Sequence, residues 1–284
     1  LNSIHIHRRN ARVGNVVSNF SDFIGGGGGA SFPTIFLHNS QTWVPPQDGN
    51  IMIHVIGAGG SGGGWNSSCQ SGAAGGYCRK NSLAVTTSGS FTVVVGAGGA
   101  SSIGSYVAGT AGGTTTVAGT GLSSTLTATG GAGGALQNSG FSTGGTASNG
   151  DVNYAGGRGG GEIGGGAVGL TGTGMDGAKT ADVITNYGGN CDIVGDFYSS
   201  SFGQLSGSLG GRSSYVWNEN GGGGNFNAGP LAGAGGMYGI GSYDFHAGHA
   251  SVGGGGGFCR TAGGSTRVFS GRGGEGCVVI QYIP

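Results

Sequence analysis

Hydrophobic positions in this chain fall in short runs, and most runs end abruptly in glycine. The stretch IMIHVI at 51–56 predicts a buried strand, and GAGGSGGGW follows it at once. SLAVTT (82–87) and SFTVVV (90–95) predict two strands joined as a hairpin across Ser88 and Gly89. TTTVAG and STLTATG, within 114–130, alternate in the way half-buried strands do, with threonine on the second face. STRVFSG and CVVIQYI (277–283) supply the last strands. Trp43 with Pro45 and Pro46 marks a strand that ends in an extended corner, because proline fixes φ and lacks a donor. No window repeats its apolar residues every 3.6 positions, so the predicted fold is all-β with little or no α-helix.

The strand endings repeat. IHVIGAGG (53–60) matches TVVVGAGG (92–99) and, more loosely, TATGGAGG (127–134). GGYCR (75–79) matches GGFCR (256–260). The unit is a strand that runs into glycine, or a glycine cluster that ends on an aromatic. No fixed G-X-Y period is present, which excludes collagen. No constant 20–50-residue period is present either, which excludes a regular solenoid.

Composition turns these junctions into a physical question. Of 284 residues, 75 are glycine and 5 are proline, a share usual for disordered chains. An ordered glycine run needs backbone partners, since it has no side chains to bury. One solution is an extended left-handed helix of the polyproline II type, with three residues per turn and no internal hydrogen bonds. Several such helices can bond laterally, because glycine lets backbones approach on every side. The expected architecture is therefore a set of β-sandwich-like strands plus a bundle of polyglycine II helices. Side chains that interrupt a run are expected on its outer faces or at rod ends, and Trp65 is expected to end the run at 57–64. Residues 1–24 are poor in glycine and read as an attachment or oligomerisation segment; 25–284 read as the glycine-rich domain with its binding loops.

Charge is scarce. Eleven basic and eleven acidic residues cancel, and charged residues make up 8% of the chain. That excludes a nucleic-acid footprint, which needs a basic face, and a polybasic membrane anchor. No apolar run reaches the roughly 18–20 residues of a membrane span, and no secretory leader is visible at the start. The five cysteines (69, 78, 191, 259 and 277) lack C-x-x-C spacing and are read mainly as reduced, buried thiols, although Cys69 and Cys78 are near in sequence.

Few motifs carry chemistry. GTGMDG (172–177) fits a dinucleotide fingerprint only by glycine content, since no strand–turn–helix surrounds it. Asp244, His246 and His249 in YDFHAGHA read as a polar loop tip. On a strand, His5 and His7 of IHIH would share a face, and three chains around an axis would offer six imidazoles to an octahedral metal. No cofactor is implied. Aromatics outside the strands stand beside serine, asparagine and glycine, the composition of adaptable binding loops. On that ground Tyr198, Tyr215, Trp217, Asn218, Tyr238, Tyr243 and Phe245 are the candidate receptor-binding residues.

The joint IMIHVIGAGGSGGGW, the sequel GGYCRKNSLAVTTSGSFTVVVGAGG and the ending GRGGEGCVVIQY resemble the glycine-rich domain of bacteriophage tail-fibre and receptor-binding proteins, over about residues 43–283. The resemblance implies a non-enzymatic adhesin at the virion surface, whose loops select a host cell-surface glycan or outer-membrane protein. It implies other fibre proteins as partners, with a homotrimer or a cap on a trimeric fibre as the assembly. The histidine pair is similar to metal-binding histidines in trimeric fibre tips, in unrepeated form. Other readings are a structural virion decoration protein, a receptor ectodomain using the sequons at Asn19 and Asn66, and an ice-binding slab.

Overall fold

The computed structural model describes residues 33–65, 70–102, 107–136, 140–160, 173–174, 176, 187–188, 210–212, 239–241, 245–246, 252–256, 259–261 and 268–284. Residues 1–24, and with them His5 and His7, lie outside the described residues.

Ten strands build two five-stranded sheets. They are β1 (Thr34–Leu37), β2 (Gln41–Trp43), β3 (Gly49–Ile56), β4 (Tyr77–Val85), β5 (Phe91–Val94), β6 (Thr115–Gly119), β7 (Leu126–Ala128), β8 (Ala147–Ser148), β9 (Val152–Tyr154) and β10 (Cys277–Ile283). The first sheet has the order β1-β10-β3-β4-β9 and the second β2-β5-β6-β7-β8, with every neighbouring pair antiparallel. No helix occurs among the described residues, so the all-β reading holds.

Alternation places the core. Ile51, Ile53 and Val55 of β3 and Val278, Ile280 and Tyr282 of β10 face Phe91, Val93, Val117 and Leu126 of the other sheet, all buried. Trp43 and Phe91 tilt against each other with ring centroids 5.4 Å apart. In β4 the inward position is even at Cys78 but odd at Leu83 and Val85. A bulge opposite Ile51–Ile53 inserts the change of parity. Asn149, in a left-handed conformation (φ 66°), turns the chain from β8 in one sheet toward β9 in the other. Asp151 then clamps that edge, accepting hydrogen bonds from Lys80 Nζ and the Asn81 N–H at 2.8 Å each.

One predicted pairing is corrected. Gly89 N–H does close a tight turn on the Thr86 carbonyl. The strands it joins, however, are not a hairpin, because β4 pairs with β3 and β9 whereas β5 pairs with β2 and β6. The turn carries the chain between sheets. Both strands are half-buried, and their alternation is served equally well by facing sheets as by one sheet.

The glycine runs leave the sandwich as direct extensions of its strands. Segment 57–64 continues β3 and segment 70–76 returns into β4; 96–102 leaves β5 and 107–113 returns to β6; 129–135 leaves β7. Segment 57–64 lies at the centre. Its N–H groups donate in strict rotation: Gly57, Gly60 and Gly63 to carbonyls of 70–76, Ala58, Ser61 and Gly64 to carbonyls of 107–113, Gly59 and Gly62 to carbonyls of 271–274. Its carbonyls accept from Gly131 and Gly134 (into Ala58 and Ser61), Gly99 (into Gly59) and Gly256 (into Gly60). The partner segment recurs every third residue, which is the period a threefold extended helix would have. Among the described glycines of these runs, only Gly253 has a positive φ.

The six neighbours also bond to one another in a closed ring. Gly113 donates to Ala97, Gly112 to Gly131, Ala73 to Ala132, Gly72 to Gly256, Gly274 to Gly254 and Gly273 to Gly99. Segments leading away from the sandwich alternate around the ring with segments leading back. The three strand-to-glycine repeats, IHVIGAGG, TVVVGAGG and TATGGAGG, are three such outward exits. The GGYCR and GGFCR pair is not equivalent. The first leads inward into β4, whereas Cys259–Thr261 runs outward, parallel to Gly64–Trp65.

The placement of interrupting side chains is a second correction. Ala58, Ser61, Ser71, Ala73 and Ala74 are fully buried inside the bundle, not on its outside. A methyl or hydroxymethyl group fits between rods at these positions, and Ser61 Oγ accepts the Thr110 N–H at 2.8 Å. Larger groups do follow the expected rule, as Val107, Phe141 and Arg158 are exposed.

Candidate binding surface

The bundle has an inner end fused to the sandwich and an outer end. At the outer end lie Gly64 and Val107, which exchange backbone hydrogen bonds, together with Gln70 and Ala135, Ser102 and Ser270, and Ser142 and Gly159. Around this end the backbone is held on several sides by lateral bonds, so whatever projects from it is mounted on a rigid base.

Three side chains there form a cluster. The Arg158 guanidinium stands over the Phe141 ring, 4.7 Å from its centroid. Asp176 fixes it in place, accepting from the Arg158 backbone N–H at 2.8 Å, from Nε at 2.8 Å and from Nη2 at 2.5 Å. Partial burial opposes the charge on Asp176, yet the hydrogen bonds and positive charge of Arg158 hold its carboxyl below the usual range. The same hydrogen bonds and charge keep Arg158 protonated. All three remain open to solvent. A flat cation held on an aromatic face, beside an oriented carboxylate, can stack on a ring and hydrogen-bond to hydroxyls.

None of the three was singled out from sequence. The signal was available for two of them: Phe141 and Arg158 are each a lone large side chain in a glycine-rich stretch (SGFSTGG, GGRGGG), and a bundle of close-packed backbones must push such groups outward. What GTGMDG supplies is the carboxylate of an ion pair. Arg158→Ala should leave the melting temperature at the parent value in a thermal melt, because the pair is exposed. A large drop would mean that the pair locks segment 173–176 onto the bundle.

The candidate receptor-binding residues Tyr198, Tyr215, Trp217, Asn218, Tyr238 and Tyr243 lie outside the described residues. Phe245 falls in a two-residue strand, Phe245–His246, parallel to Val268–Phe269, which describes its backbone alone. Asp244 and His249 also lie outside the described residues.

A second polar group sits on the outer face of the first sheet. There the Tyr77 hydroxyl and His54 Nδ1 share a 2.7 Å hydrogen bond, and Tyr154 stacks on Tyr77 with centroids 6.2 Å apart. His54 is 1% exposed and Tyr77 2%, so no ligand reaches them. Burial, helped by the nearby Arg79 charge, depresses His54 to about 3, and burial raises Tyr77. The pair is a neutral structural contact beneath Val252 and Phe36. Cys78 and Cys277 are free and buried on opposite faces of the same sheet, and burial pushes each thiol up to about 12. Cys78 is therefore not bridged to Cys69.

Sandwich and bundle together define a glycine-rich all-β scaffold, in which one part of the core is hydrophobic and the other is backbone. The chain belongs to the glycine-rich domain family, whose model matches residues 35–283. Comparison with curated proteins found no match.

Proposed function

We propose that this chain is a host-recognition module of a bacteriophage tail fibre or fibre tip, displayed on the virion surface, that binds a bacterial surface glycan or outer-membrane protein and performs no chemistry. The observation that supports this reading is the laterally bonded glycine bundle. It carries side chains and connections outward from a β-sandwich on a base that needs no further ordering when a ligand binds, which lowers the entropic cost of association. Repeated copies on one particle make a weak contact at each copy sufficient.

The aromatic and asparagine residues of 186–245, above all Tyr215 and Trp217, contact the receptor in this reading. Labelled protein should bind host cells saturably. Trp217→Ala or Tyr215→Ala should cut that binding at least tenfold, a loss of about 1.4 kcal/mol or more, with an unchanged melting temperature. Unsaturable binding to every cell surface tried, or full binding by both variants, would reject this assignment.

A further inference from the structure

Phe141, Arg158 and Asp176 are held more firmly than an exposed ion pair requires. Ser142 and Gly159, the residues next to Phe141 and Arg158, exchange backbone hydrogen bonds at 2.9 and 3.1 Å. Ser142 Oγ also donates to the Ser71 carbonyl at 2.7 Å, which ties this bridge to the adjoining rod. Both side chains therefore start from fixed backbone. Asp176 binds Arg158 three times, through the main-chain N–H, Nε and Nη2, and the guanidinium lies over the Phe141 ring. The rotamer freedom that an exposed arginine loses on binding a ligand is thus already lost. Yet side-chain exposure stays at 54% for Arg158 and 37% for Asp176, and Phe141 is 37% exposed.

The unused valences of the cluster define its ligand. Asp176 occupies Nε–H and one hydrogen of Nη2, so both hydrogens of Nη1 and the second of Nη2 remain as donors. Oδ2 accepts from the guanidinium, whereas Oδ1 accepts from the Arg158 main-chain N–H and keeps a free lone pair. Donors and an acceptor thus lie within one bonded pair of side chains whose formal charges cancel. The geometry points to a binding site for a neutral sugar, held by two hydroxyls on adjacent ring carbons. One hydroxyl accepts from the free guanidinium edge, the other donates to Asp176 Oδ1, and a C–H face of the sugar lies on the exposed part of the Phe141 ring. Other ligand classes match less well. A carboxylate or phosphate on the guanidinium edge meets the like charge of Asp176, and an amine on Asp176 meets that of Arg158. The N–H and C=O of a trans peptide point in opposite directions, so one backbone amide does not serve a donor and an acceptor on the same side. Hydroxyls on neighbouring carbons do. The inference does not rest on the host-recognition reading, whose contact residues lie in 186–245.

The test is an NMR titration of the isotope-labelled full chain, read at the Arg158 Nε–H and at the Ser142 and Gly159 amides. The probes are methyl α-mannopyranoside and methyl β-galactopyranoside, with glucuronate as the anionic and N-methylacetamide as the amide comparison. At least one of the two neutral sugars is expected to shift these signals saturably, and more tightly than either comparison compound. Asp176→Asn and Arg158→Lys should each weaken that binding by roughly tenfold or more, with the melting temperature unchanged. Lys80→Ala, which opens an exposed ion pair on the sandwich, should bind as the parent does. No saturable shift with either sugar, an equal response to glucuronate or N-methylacetamide, or full binding by both cluster variants overturns the inference. The order of the four probes on the parent decides the matter even if a variant fails to fold.

Discussion

Gly60→Ala should destabilise the chain by about 3 kcal/mol or more, a drop in melting temperature of roughly 6–12 °C. Gly60 sits in the central rod, and a Cβ built there falls within 3.0 Å of the Ala132 carbonyl and the Gly133 nitrogen. Both obstacles are backbone. Ala132 is itself held by Ala73, whose N–H donates to it, and by the Thr143 carbonyl, to which its own N–H donates. To admit one methyl group the whole rod 129–135 has to shift, and its lateral bonds shift with it. Ordinary overpacking is relieved when side chains rotate; here no side chain is available to rotate. Gly140→Ala is the control. A Cβ at Gly140 meets only the end of the Gln70 side chain, at 4.0 Å. Thermal unfolding followed by circular dichroism separates the two. Equal, small shifts in both variants would mean that the bundle is not close-packed backbone.

The second large effect is acid lability between neutral pH and pH 5. His54 is buried against Tyr77 and held near 3 in the folded chain, against 6.5 in an unfolded one. Between those values the unfolded chain binds a proton that the folded chain refuses. Stability is therefore complete above pH 6.5 and falls as pH drops toward 3. By pH 5 the loss from this one residue is about 2 kcal/mol. Asp and Glu side chains titrate mostly below this window, so urea unfolding at pH 7, 6 and 5 isolates histidine. His54→Gln keeps a polar partner near Tyr77 and removes the titration. Its stability should be lower than the parent's at pH 7 but nearly flat down to pH 5. A parent that shows no fall, or a variant that keeps the parent's slope, contradicts the account.

Both effects bear on how the chain avoids disorder at this glycine content. Backbone order is expensive for glycine, and side-chain burial in the sandwich offsets only the part nearest the strands. Farther out, order depends on every N–H and C=O finding a partner, and Gly57, Gly59, Gly60, Gly62 and Gly63 all donate to one. A lesion at Gly60 acts on that network, whereas a lesion at His54 acts on the side-chain layer between Val279 and Tyr77.

Several features could be read before any fold was known. IMIHVI at 51–56 forms the largely buried strand its apolar run predicts, with Ile51, Ile53 and Val55 in the sandwich core, and the GAGG endings of three strands are three exits into the bundle. Local periodicity decides these, because a strand's inward face is set by its own side chains. The hairpin predicted across Ser88 and Gly89 failed for the complementary reason. A turn and two alternating strands are the same in sequence whether the strands pair or face each other in separate sheets. The burial of Ala58 and Ser61 was likewise hidden, since it depends on gaps between rods that lie far apart in the chain.

The amino-acid sequence by itself determined an all-β chain, the points where strands become glycine, and the need for those glycines to bond to something other than themselves. Each follows from short-range chemistry: side-chain alternation, the missing Cβ, the donor and acceptor on every residue. Only the tertiary structure decided that 57–64 is the central rod, that six neighbouring segments close a ring around it in alternating directions, and that Phe141, Arg158 and Asp176 meet near its outer end. Those choices depend on which backbone lies beside which, and a glycine run, having no side chains, carries no local mark of its neighbour.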